Sequence, residues 1–418
     1  MSIEQEVTTK AKVAKQAAKE LANIDSKLKN KALNKMADAL IDQTDQILAA
    51  NKKDMANGRE NGLSESLLDR LLLTEERIKG MAEGLKKVAQ FSDPIGEMEE
   101  MKKRPNGLKV GKVKVPLGVI GIIYEARPNV TADAAGLCLK AGNAVLLRGG
   151  SNAINSNITI TNLLSNAAIE AGLPEGSVQL IETTDREAVQ VMFKLNQYLD
   201  VLIPRGGEGL IKAVVENSTV PVIETGVGNC HTYIDESADL EMAKEIVINA
   251  KTQRTGVCNA METLLVNQQV AKEFLPEMIA ELKDKDTLVK GCEGVQEIVG
   301  DVESASEKDW ATEFLDYILA IKVVDDFEAA IDHIDKYSTS HSEAIITENY
   351  TRAHRFLAEI DSAAVYVNAS TRFTDGGQFG LGAEIGISTQ KLHARGPMGV
   401  NELTTTKFMV FGNGQIRE

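Results

Sequence analysis

Cys258 is the residue best suited to covalent chemistry. It lies in the polar, glycine-containing stretch NAKTQRTGVCNA at 249–260, with Arg254 four residues before it. A free thiol has a pKa of about 8.5 and is only slightly ionised at neutral pH, so a nearby positive charge favours the reactive thiolate. The alternative is a small buried hydrophobic residue, the usual role of a free cysteine. Cys138 and Cys292 fit that role better, and Cys230, next to the apolar segment HTYI, fits either.

Two glycine-rich turns can bind phosphate. LRGGSN at 147–152 and IPRGGEG at 203–209 each follow an apolar run, and the second precedes a helical segment at 210–216. Backbone N–H groups at the start of a helix attract phosphate, and Arg148 and Arg205 can add charged hydrogen bonds. The alternative is two ordinary strand-to-helix turns. The usual dinucleotide fingerprint, Gly-x-Gly-x-x-Gly, does not follow the first strand.

Three further charged residues are candidates for the site. Glu224 follows the apolar segment PVI, where a carboxylate at the end of a parallel strand can face a ligand crevice or cap the next turn. Arg127 and Arg254 can bind anionic groups of a substrate or form salt bridges within the fold. The sequence leaves these alternatives open.

The elements that must position these residues are helices and buried strands in alternation. Residues 1–90 are predicted to be helical, with a cap at Ser26 and an apolar face formed by Leu33, Met36, Ala37, Leu40 and Ile41. Residues 101–116 alternate and predict a half-exposed strand or hairpin. Apolar runs at 117–124, 144–147, 178–181, 200–203 and 221–223 then alternate with helical segments such as 131–140 and 155–171. A second α/β stretch covers about 226–390, and 402–411 predicts a final strand. This order predicts an α/β fold with parallel sheets.

Composition narrows the class of protein. The chain has 418 residues, 43% of them hydrophobic, and a net charge of −15 without a block of basic residues. That balance is typical of a globular protein and argues against a nucleic acid partner. Four scattered cysteines predict free thiols and no metal site. No apolar leader and no membrane-spanning run are present, so we expect a cytoplasmic location.

Three segments together resemble a known family. They are residues 114–153, which include YEARPNVT and LLRGGSNA, residues 220–235 (VPVIETGVGNCHTYID) and residues 252–266 (TQRTGVCNAMETLLV). They are similar to the aldehyde dehydrogenase superfamily, most closely its γ-glutamyl phosphate reductase branch. The interval from Glu224 to Cys258 also resembles the glutamate-to-cysteine separation of that superfamily.

The resemblance implies roles for individual residues. Cys258 matches the catalytic thiol, Glu224 the superfamily's base, and Asn129 is the candidate for its oxyanion-hole amide. Arg148 matches a lysine that contacts the adenosine ribose, where a guanidinium suits the 2′-phosphate of NADPH. The residues expected to bind the cofactor are Arg148, Gly149, Ser151, Arg205, Gly206, Gly207 and Glu313. Arg127 and Arg254 are the candidates for binding substrate.

The resemblance also implies an organisation and a reaction. Residues 1–100 and 117–225 would form a cofactor-binding domain, 226–390 a catalytic domain, and 101–116 with 400–418 strands that join subunits of a homo-oligomer. The expected reaction is NADPH-dependent reduction of γ-glutamyl phosphate to glutamate 5-semialdehyde in proline biosynthesis, through a thioester on Cys258. A separate glutamate 5-kinase would supply the substrate. The competing predictions are an aldehyde dehydrogenase that forms a free acid, with Glu224 activating water, and a non-catalytic scaffold on the same fold.

Overall fold

The computed structural model describes residues 2–125 and 127–417. The chain divides into two units, each with its own parallel sheet. The first comprises Met1–Thr225, Gly380–Gly386 and Met398–Glu418, and the second comprises Gly226–Phe379 and Ile387–Pro397. Within the described ranges, none of the helices combines the length and the apolar character that crossing a membrane requires.

The first unit begins with five helices, as the sequence predicts. They are α1 (Ile3–Leu21), α2 (Ser26–Asp42), α3 (Thr44–Glu60), α4 (Glu65–Leu71) and α5 (Glu75–Gln90). Four residues of the predicted apolar face of α2 are fully buried, but Ile41 is 43% exposed. That part of the prediction is wrong because Ile41 lies in the last turn of the helix, at the edge of the buried face.

The predicted cap of α2 is wrong by one residue. Asp25 has extended backbone dihedrals, and its carboxylate accepts a hydrogen bond from the N–H of Leu28 at 2.8 Å. Ser26 is therefore the first helical residue, and its hydroxyl donates to Asp93 instead. Both side chains can cap a helix, so residue type alone does not distinguish them.

A hairpin and a four-stranded parallel sheet follow. The hairpin consists of β1 (Met98–Lys103) and β2 (Lys109–Pro116), which pair antiparallel. The sheet has the order β5-β4-β3-β6. Its strands are β3 (Val119–Tyr124), β4 (Ala144–Arg148), β5 (Val178–Leu180) and β6 (Val201–Arg205), and the helices are α6 (Asn129–Lys140), α7 (Ile154–Ala171), α8 (Arg186–Met192) and α9 (Glu208–Asn217).

The predicted strand at 221–223 is not a full strand. Only one parallel bridge forms, between Val222 and Leu202. Leu202 donates to the carbonyl of Pro221 and accepts from the N–H of Ile223. Proline has no N–H to donate, so a longer ladder cannot begin at that position.

The second unit is built on a seven-stranded parallel sheet of order β10-β9-β11-β8-β7-β12-β13. Its strands are β7 (Cys230–Ile234), β8 (Met261–Asn267), β9 (Leu288–Gly291), β10 (Glu303–Ser304), β11 (Ile318–Val324), β12 (Ser342–Ile346) and β13 (Ala364–Val367). Its helices are α10 (Leu240–Thr252), α11 (Gln268–Asp284), α12 (Glu293–Ile298), α13 (Phe327–Tyr337) and α14 (Tyr350–Glu359). The central strands β7 and β8 are buried along their whole length, as covered parallel strands must be.

Three further strands complete the fold. β14 (Ile387–Ser388) pairs antiparallel with β15 (Gly396–Pro397) in the second unit. The final strand, β16 (Thr404–Phe411), confirms the strand predicted at the end of the chain. It pairs antiparallel with β2 along eight residues, so the first unit carries a second sheet of order β1-β2-β16.

Candidate active site

The loop that carries Cys258 connects α10 to β8. Its two ends are joined by an ion pair between Lys251, near the end of α10, and Glu262, the second residue of β8. The Nζ–Oε2 distance is 2.5 Å and both side chains are fully buried. The other carboxylate oxygen of Glu262 accepts a hydrogen bond from the N–H of Leu315 at 3.2 Å. The ends of the loop are thus fixed, while the Cys258 side chain remains partly exposed.

The backbone of Gly228 lies directly against the backbone of Cys258. A Cβ atom built on Gly228 would be 1.5 Å from the Cys258 carbonyl oxygen, which no real side chain can tolerate. The N–H of Gly228 donates to Oε1 of Glu313 at 2.8 Å. Glycine is required here by a close approach of two main chains.

Cys230 packs against the Cys258 loop and forms a hydrogen bond with it. Its Sγ lies 3.2 Å from the Cys258 carbonyl oxygen, and His341 Nδ1 lies 3.7 Å from the same sulfur. Burial raises the pKa of the Cys230 thiol well above its usual range, and the nearby carboxylate of Glu343 raises it further. The S–H therefore stays protonated and donates to the carbonyl of Cys258. Cys230, which the sequence left ambiguous, is a buried hydrogen-bond donor rather than a second nucleophile.

Asn259, the residue after Cys258, fixes a distant segment of the chain. Asn259 Nδ2 donates to the carbonyls of Thr374, at 2.8 Å, and Arg372, at 3.3 Å. The hydroxyl of Thr371 donates to the carbonyl of Asn259 at 2.8 Å. These three hydrogen bonds attach the segment 371–374 to the Cys258 loop. Sequence alone does not point to Arg372, because nothing in the local pattern STRFTD indicates that it meets residues 253–259.

The site residues of the second unit lie at the amino-terminal ends of four adjacent strands. Gly228 precedes β7, Cys258 precedes β8, Glu313 precedes β11 and His341 precedes β12, and the order of these strands in the sheet is β11-β8-β7-β12. Four segments that are far apart in sequence are thereby brought to one edge of the sheet.

The predicted phosphate-binding residues of the first unit lie at the carboxyl-terminal edge of its sheet. Arg148 ends β4 and Arg205 ends β6, with β3 between them, so both turns leave the carboxyl-terminal edge of the sheet. Ligands of open parallel sheets bind at this edge. Gly149 and Ser151 follow β4, and Ser151 is exposed.

Arg148 is buried, and only part of its guanidinium is used within the fold. Its Nη2 donates to the carbonyls of Thr184, at 2.8 Å, and Asp185, at 3.2 Å, whereas its Nε is buried and has no partner among the described residues. Burial lowers the pKa of Arg148, and the positive charge of Arg186 lowers it further. Arg186 begins α8 and is exposed. Two guanidinium groups therefore lie close together here, of which the sequence analysis named only Arg148.

The two turns approach neighbouring groups too closely for larger residues. A Cβ on Gly149 would be 2.2 Å from Asn157 Nδ2, and a Cβ on Gly206 would be 2.6 Å from the carboxyl carbon of Glu125. The N–H of Gly207, at the start of α9, donates to Oε2 of Glu125 at 3.2 Å. The start of α9 thus already binds one carboxylate, as the positive end of a helix dipole favours.

Three predicted residues remain. Arg127 and Asn129 lie at the start of α6, and Glu224 lies near the end of the main part of the first unit. Asn129 begins α6, and its Nδ2 donates to Asp133 Oδ2 at 3.0 Å. Burial raises the pKa of Asp133 to about 6, which the Asn129 hydrogen bond and the charge of Arg205 oppose. Arg127 is half-buried, and its N–H donates to the carbonyl of Glu125. Glu224 is half-buried, next to the last residue of the main part of the first unit.

Comparison with known proteins gives one consistent result. The family model described as "Aldehyde dehydrogenase family" matches residues 2–316. The gamma-glutamyl phosphate reductase of Caldanaerobacter subterraneus subsp. tengcongensis is 63% identical over 413 residues, which are 99% of this chain and 100% of the relative. The enzyme of the same name from Halothermothrix orenii is 62% identical over 418 residues, which are 100% of both chains. The crystal structure of gamma-glutamyl phosphate reductase from Thermotoga maritima matches with a TM-score of 0.96 and 55% identity, covering 99% of this chain and 100% of that one.

The contact between Gly228 and Cys258 leads to a prediction. We expect Gly228→Ala to lower kcat/KM about a hundredfold or more, because the new methyl group must displace the loop and a nucleophile displaced by about 1 Å loses that much rate. The effect on kcat/KM is measured from steady-state rates of the reduction that the sequence predicts. Gly300→Ala is the matched control, because a Cβ on Gly300 meets nothing within 4 Å. Equal rates in the two variants would contradict the prediction.

Proposed function

The chain belongs to the aldehyde dehydrogenase family and, within it, to the gamma-glutamyl phosphate reductases, and we propose that it uses Cys258 to reduce γ-glutamyl phosphate to glutamate 5-semialdehyde in proline biosynthesis. The observation that carries this assignment is the identity of 63% with a reductase of this name across its whole length. A partly exposed cysteine on a loop fixed at both ends supplies the nucleophile that the reaction needs.

We propose the following roles for residues around the nucleophile. The Cys258 sulfur adds to the activated carbonyl carbon, phosphate leaves, and a thioester forms. The N–H of Cys258 stabilises the oxyanion of each tetrahedral intermediate. Cys230 donates a hydrogen bond to the carbonyl of Cys258, which fixes the orientation of the peptide that follows the nucleophile. After reduction, the thiohemiacetal on Cys258 releases the aldehyde and restores the thiol.

A nicotinamide cofactor supplies the hydride, as in other members of the aldehyde dehydrogenase family, and we propose NADPH. Arg148 fits the 2′-phosphate, because its buried Nε has no partner among the described residues and Arg186 adds a second positive charge. The turn at 205–207 fits a phosphate at the start of α9, and the buried Nε of Arg205 is likewise without a partner in the described part of the chain. Gly149, Ser151, Gly206 and Gly207 would allow close approach of the cofactor, and Glu313 would contact its ribose.

The competing reaction is hydrolysis of the thioester to a free acid, with Glu224 as the base. The reductive direction needs no activated water, and water would waste the substrate by hydrolysing the thioester. We therefore propose that Glu224 does not act as a base in the main reaction, and that Asn129 or a backbone group completes the oxyanion hole. The scaffold alternative is not favoured, because the nucleophile is present in a chain that matches reductases from end to end.

We propose that the sheet β1-β2-β16 joins subunits of a homo-oligomer. Its edge strands, β1 and β16, each pair with β2 on one side only; their outer edges have no partner strand within the described chain, and both strands carry exposed apolar side chains. These include Met98 at 44% exposure on β1 and Phe408 at 67% on β16. An exposed apolar edge strand is a liability in a monomer. Sedimentation velocity at micromolar concentration tests the proposal: we expect a species larger than one chain, dissociated by Phe408→Lys, and a monomeric parent would contradict it.

A separate glutamate 5-kinase is the proposed functional partner, because the reaction consumes an acyl phosphate that another, phosphorylating reaction must supply. Acyl phosphates hydrolyse readily, so direct transfer between the enzymes would protect the intermediate. In a mixed assay, a trap for free acyl phosphate that stops semialdehyde formation completely would exclude direct transfer.

The proposed reaction predicts a requirement for phosphate in reverse. We expect NADPH to form from glutamate 5-semialdehyde and NADP⁺ only when inorganic phosphate is present, because phosphate must release the thioester. Absorbance of NADPH measures the rate, Cys258→Ala should abolish it, and Cys292→Ala should leave it unchanged because Cys292 packs beside the hydrophobic core of the second unit. Equal rates without phosphate would make water the acceptor and Glu224 its base.

The cofactor proposal predicts a selective effect at Arg186. We expect Arg186→Gln to raise KM for NADPH about tenfold, since a charged hydrogen bond is worth about 1.5–3 kcal/mol. KM for NADH should change less than about twofold, because NADH lacks the 2′-phosphate. Arg59→Gln, at the exposed end of α3, is the control with the same chemical change. Equal increases for both cofactors would assign Arg186 a structural role instead.

A further inference from the structure

Arg372 lies beside the nucleophile loop and is firmly held there. Its own carbonyl accepts from Asn259, and its neighbour Thr371 donates to the Asn259 carbonyl. Its side chain reaches back to the other end of the same loop, where Nε and Nη2 both donate to Oε1 of Gln253, at 3.0 and 2.9 Å. The backbone at Arg372 is therefore held by Asn259, and the guanidinium is oriented by two hydrogen bonds to one oxygen of Gln253.

The charge of this guanidinium is not neutralised by an ion pair. Its acceptor, Gln253, is neutral, and no carboxylate of residues 2–125 or 127–417 forms a salt bridge with Arg372. In the same part of the chain its Nη1 makes no hydrogen bond. Arginine side chains that serve only the fold normally have their charge paired; Arg355, for example, is bound by Glu328 and Glu359. A half-buried, rigid and unpaired guanidinium is typical of a binding site for an anion.

Arg372, Arg254 and Cys258 lie near enough to one another for their charges to interact. Burial lowers the pKa of Arg372, the positive charge of Arg254 lowers it further, and negative charge on Cys258 and then on Asp375 opposes both effects. Arg254 is exposed and forms no salt bridge with a described residue. Two guanidinium groups therefore act on the space around the thiol.

We propose that Arg372, together with Arg254, binds the phosphate group that leaves when Cys258 attacks the substrate. This inference rests on the proposed function. It adds Arg372, which neither the sequence motifs nor the family resemblance identified, and it assigns both arginines to the phosphate end of the substrate.

The chemistry of the step explains why positive charge belongs here. The sulfur of Cys258 forms a bond to the acyl carbon, and the bond between that carbon and the phosphate oxygen breaks. The bonding electron pair leaves with the phosphate, and the thiol proton ends on it, giving hydrogen phosphate and a thioester. No oxidant or reductant takes part in this step. Negative charge concentrates on the leaving oxygen, where a fixed guanidinium stabilises it without reorganisation.

The geometry favours phosphate over the α-carboxylate of the substrate. The phosphate is attached to the carbon that Cys258 attacks, so it must lie beside the sulfur. The α-carboxylate is at the other end of the glutamate chain. Two guanidinium groups also match the double charge of phosphate better than the single charge of a carboxylate.

Reverse-direction kinetics test the assignment. In Arg372→Gln we expect KM for inorganic phosphate to rise about tenfold or more, while KM for glutamate 5-semialdehyde changes less than about twofold. Arg372→Lys keeps the charge without the planar fork and should fall between the parent and the glutamine variant. Arg355→Gln is the control, with the same chemical change at an ion-paired arginine of the second unit.

A second measurement does not depend on turnover. Inorganic phosphate should protect Cys258 of the parent enzyme from alkylation by iodoacetamide, and Arg372→Gln and Arg372→Lys should both need more phosphate for half-protection. A rise in KM for the semialdehyde with phosphate unchanged would assign Arg372 to the α-carboxylate and overturn the proposal, as would unchanged values for both substrates. Failure of the proposed function is seen separately, as NADPH formation without phosphate in the parent enzyme.

Discussion

The buried ion pair between Lys251 and Glu262 is the interaction on which the position of Cys258 depends. The two residues lie on different elements, α10 and β8, and the loop that carries Cys258 runs between them. Burying two charges is costly, and removing one partner from such a pair leaves the other charge without compensation. The pair therefore adds little net stability, but it strongly penalises any arrangement that separates the ends of the loop. Gly228 and Cys230 then fix the middle of the loop through the Cys258 carbonyl, one by close packing and the other by a hydrogen bond.

The edge of the sheet on which this loop lies explains much of the surrounding polar structure. The strands begin at this edge, so it is rich in backbone N–H groups that the hydrogen bonds of the sheet do not satisfy. Side chains accept from several of them: Glu313 from Gly228, Thr339 from Asn229, and Glu343 from His231. Each bond joins two segments that are distant in sequence, because buried donors must find partners wherever the fold offers them. The same bonds that satisfy the backbone thus assemble the site.

The sequence predicted a large part of this structure, and the failures have physical causes. Alternating apolar runs and helical segments predicted the parallel strands, and the polar, glycine-containing context of Cys258 predicted a partly exposed thiol on a loop. The sequence did not predict that the second unit would use the amino-terminal edge of its sheet, because hydrophobic patterns specify which residues are buried but not at which edge a loop lies. Arg372 was missed for a related reason. Its importance comes from Gln253 and Asn259, whose hydrogen bonds to it span more than a hundred residues of sequence. Asp25 was missed because Ser26 beside it is an equally good cap by residue type.

The charges around Cys258 bear on how the thioester is used. A thioester can be attacked by water or by phosphate, and a hydrolytic enzyme must favour water. Unpaired guanidinium groups beside the sulfur attract a neutral water molecule only weakly. They raise the local concentration of the phosphate dianion, and they stabilise the negative charge that phosphate gains when it leaves and gives up when it attacks. With Arg372 fixed by Gln253, this preference is built into the loop rather than created when the substrate binds. Selectivity for phosphate can then arise from the electrostatics of the nucleophile loop itself, without a change in the nucleophile and without the removal of a general base.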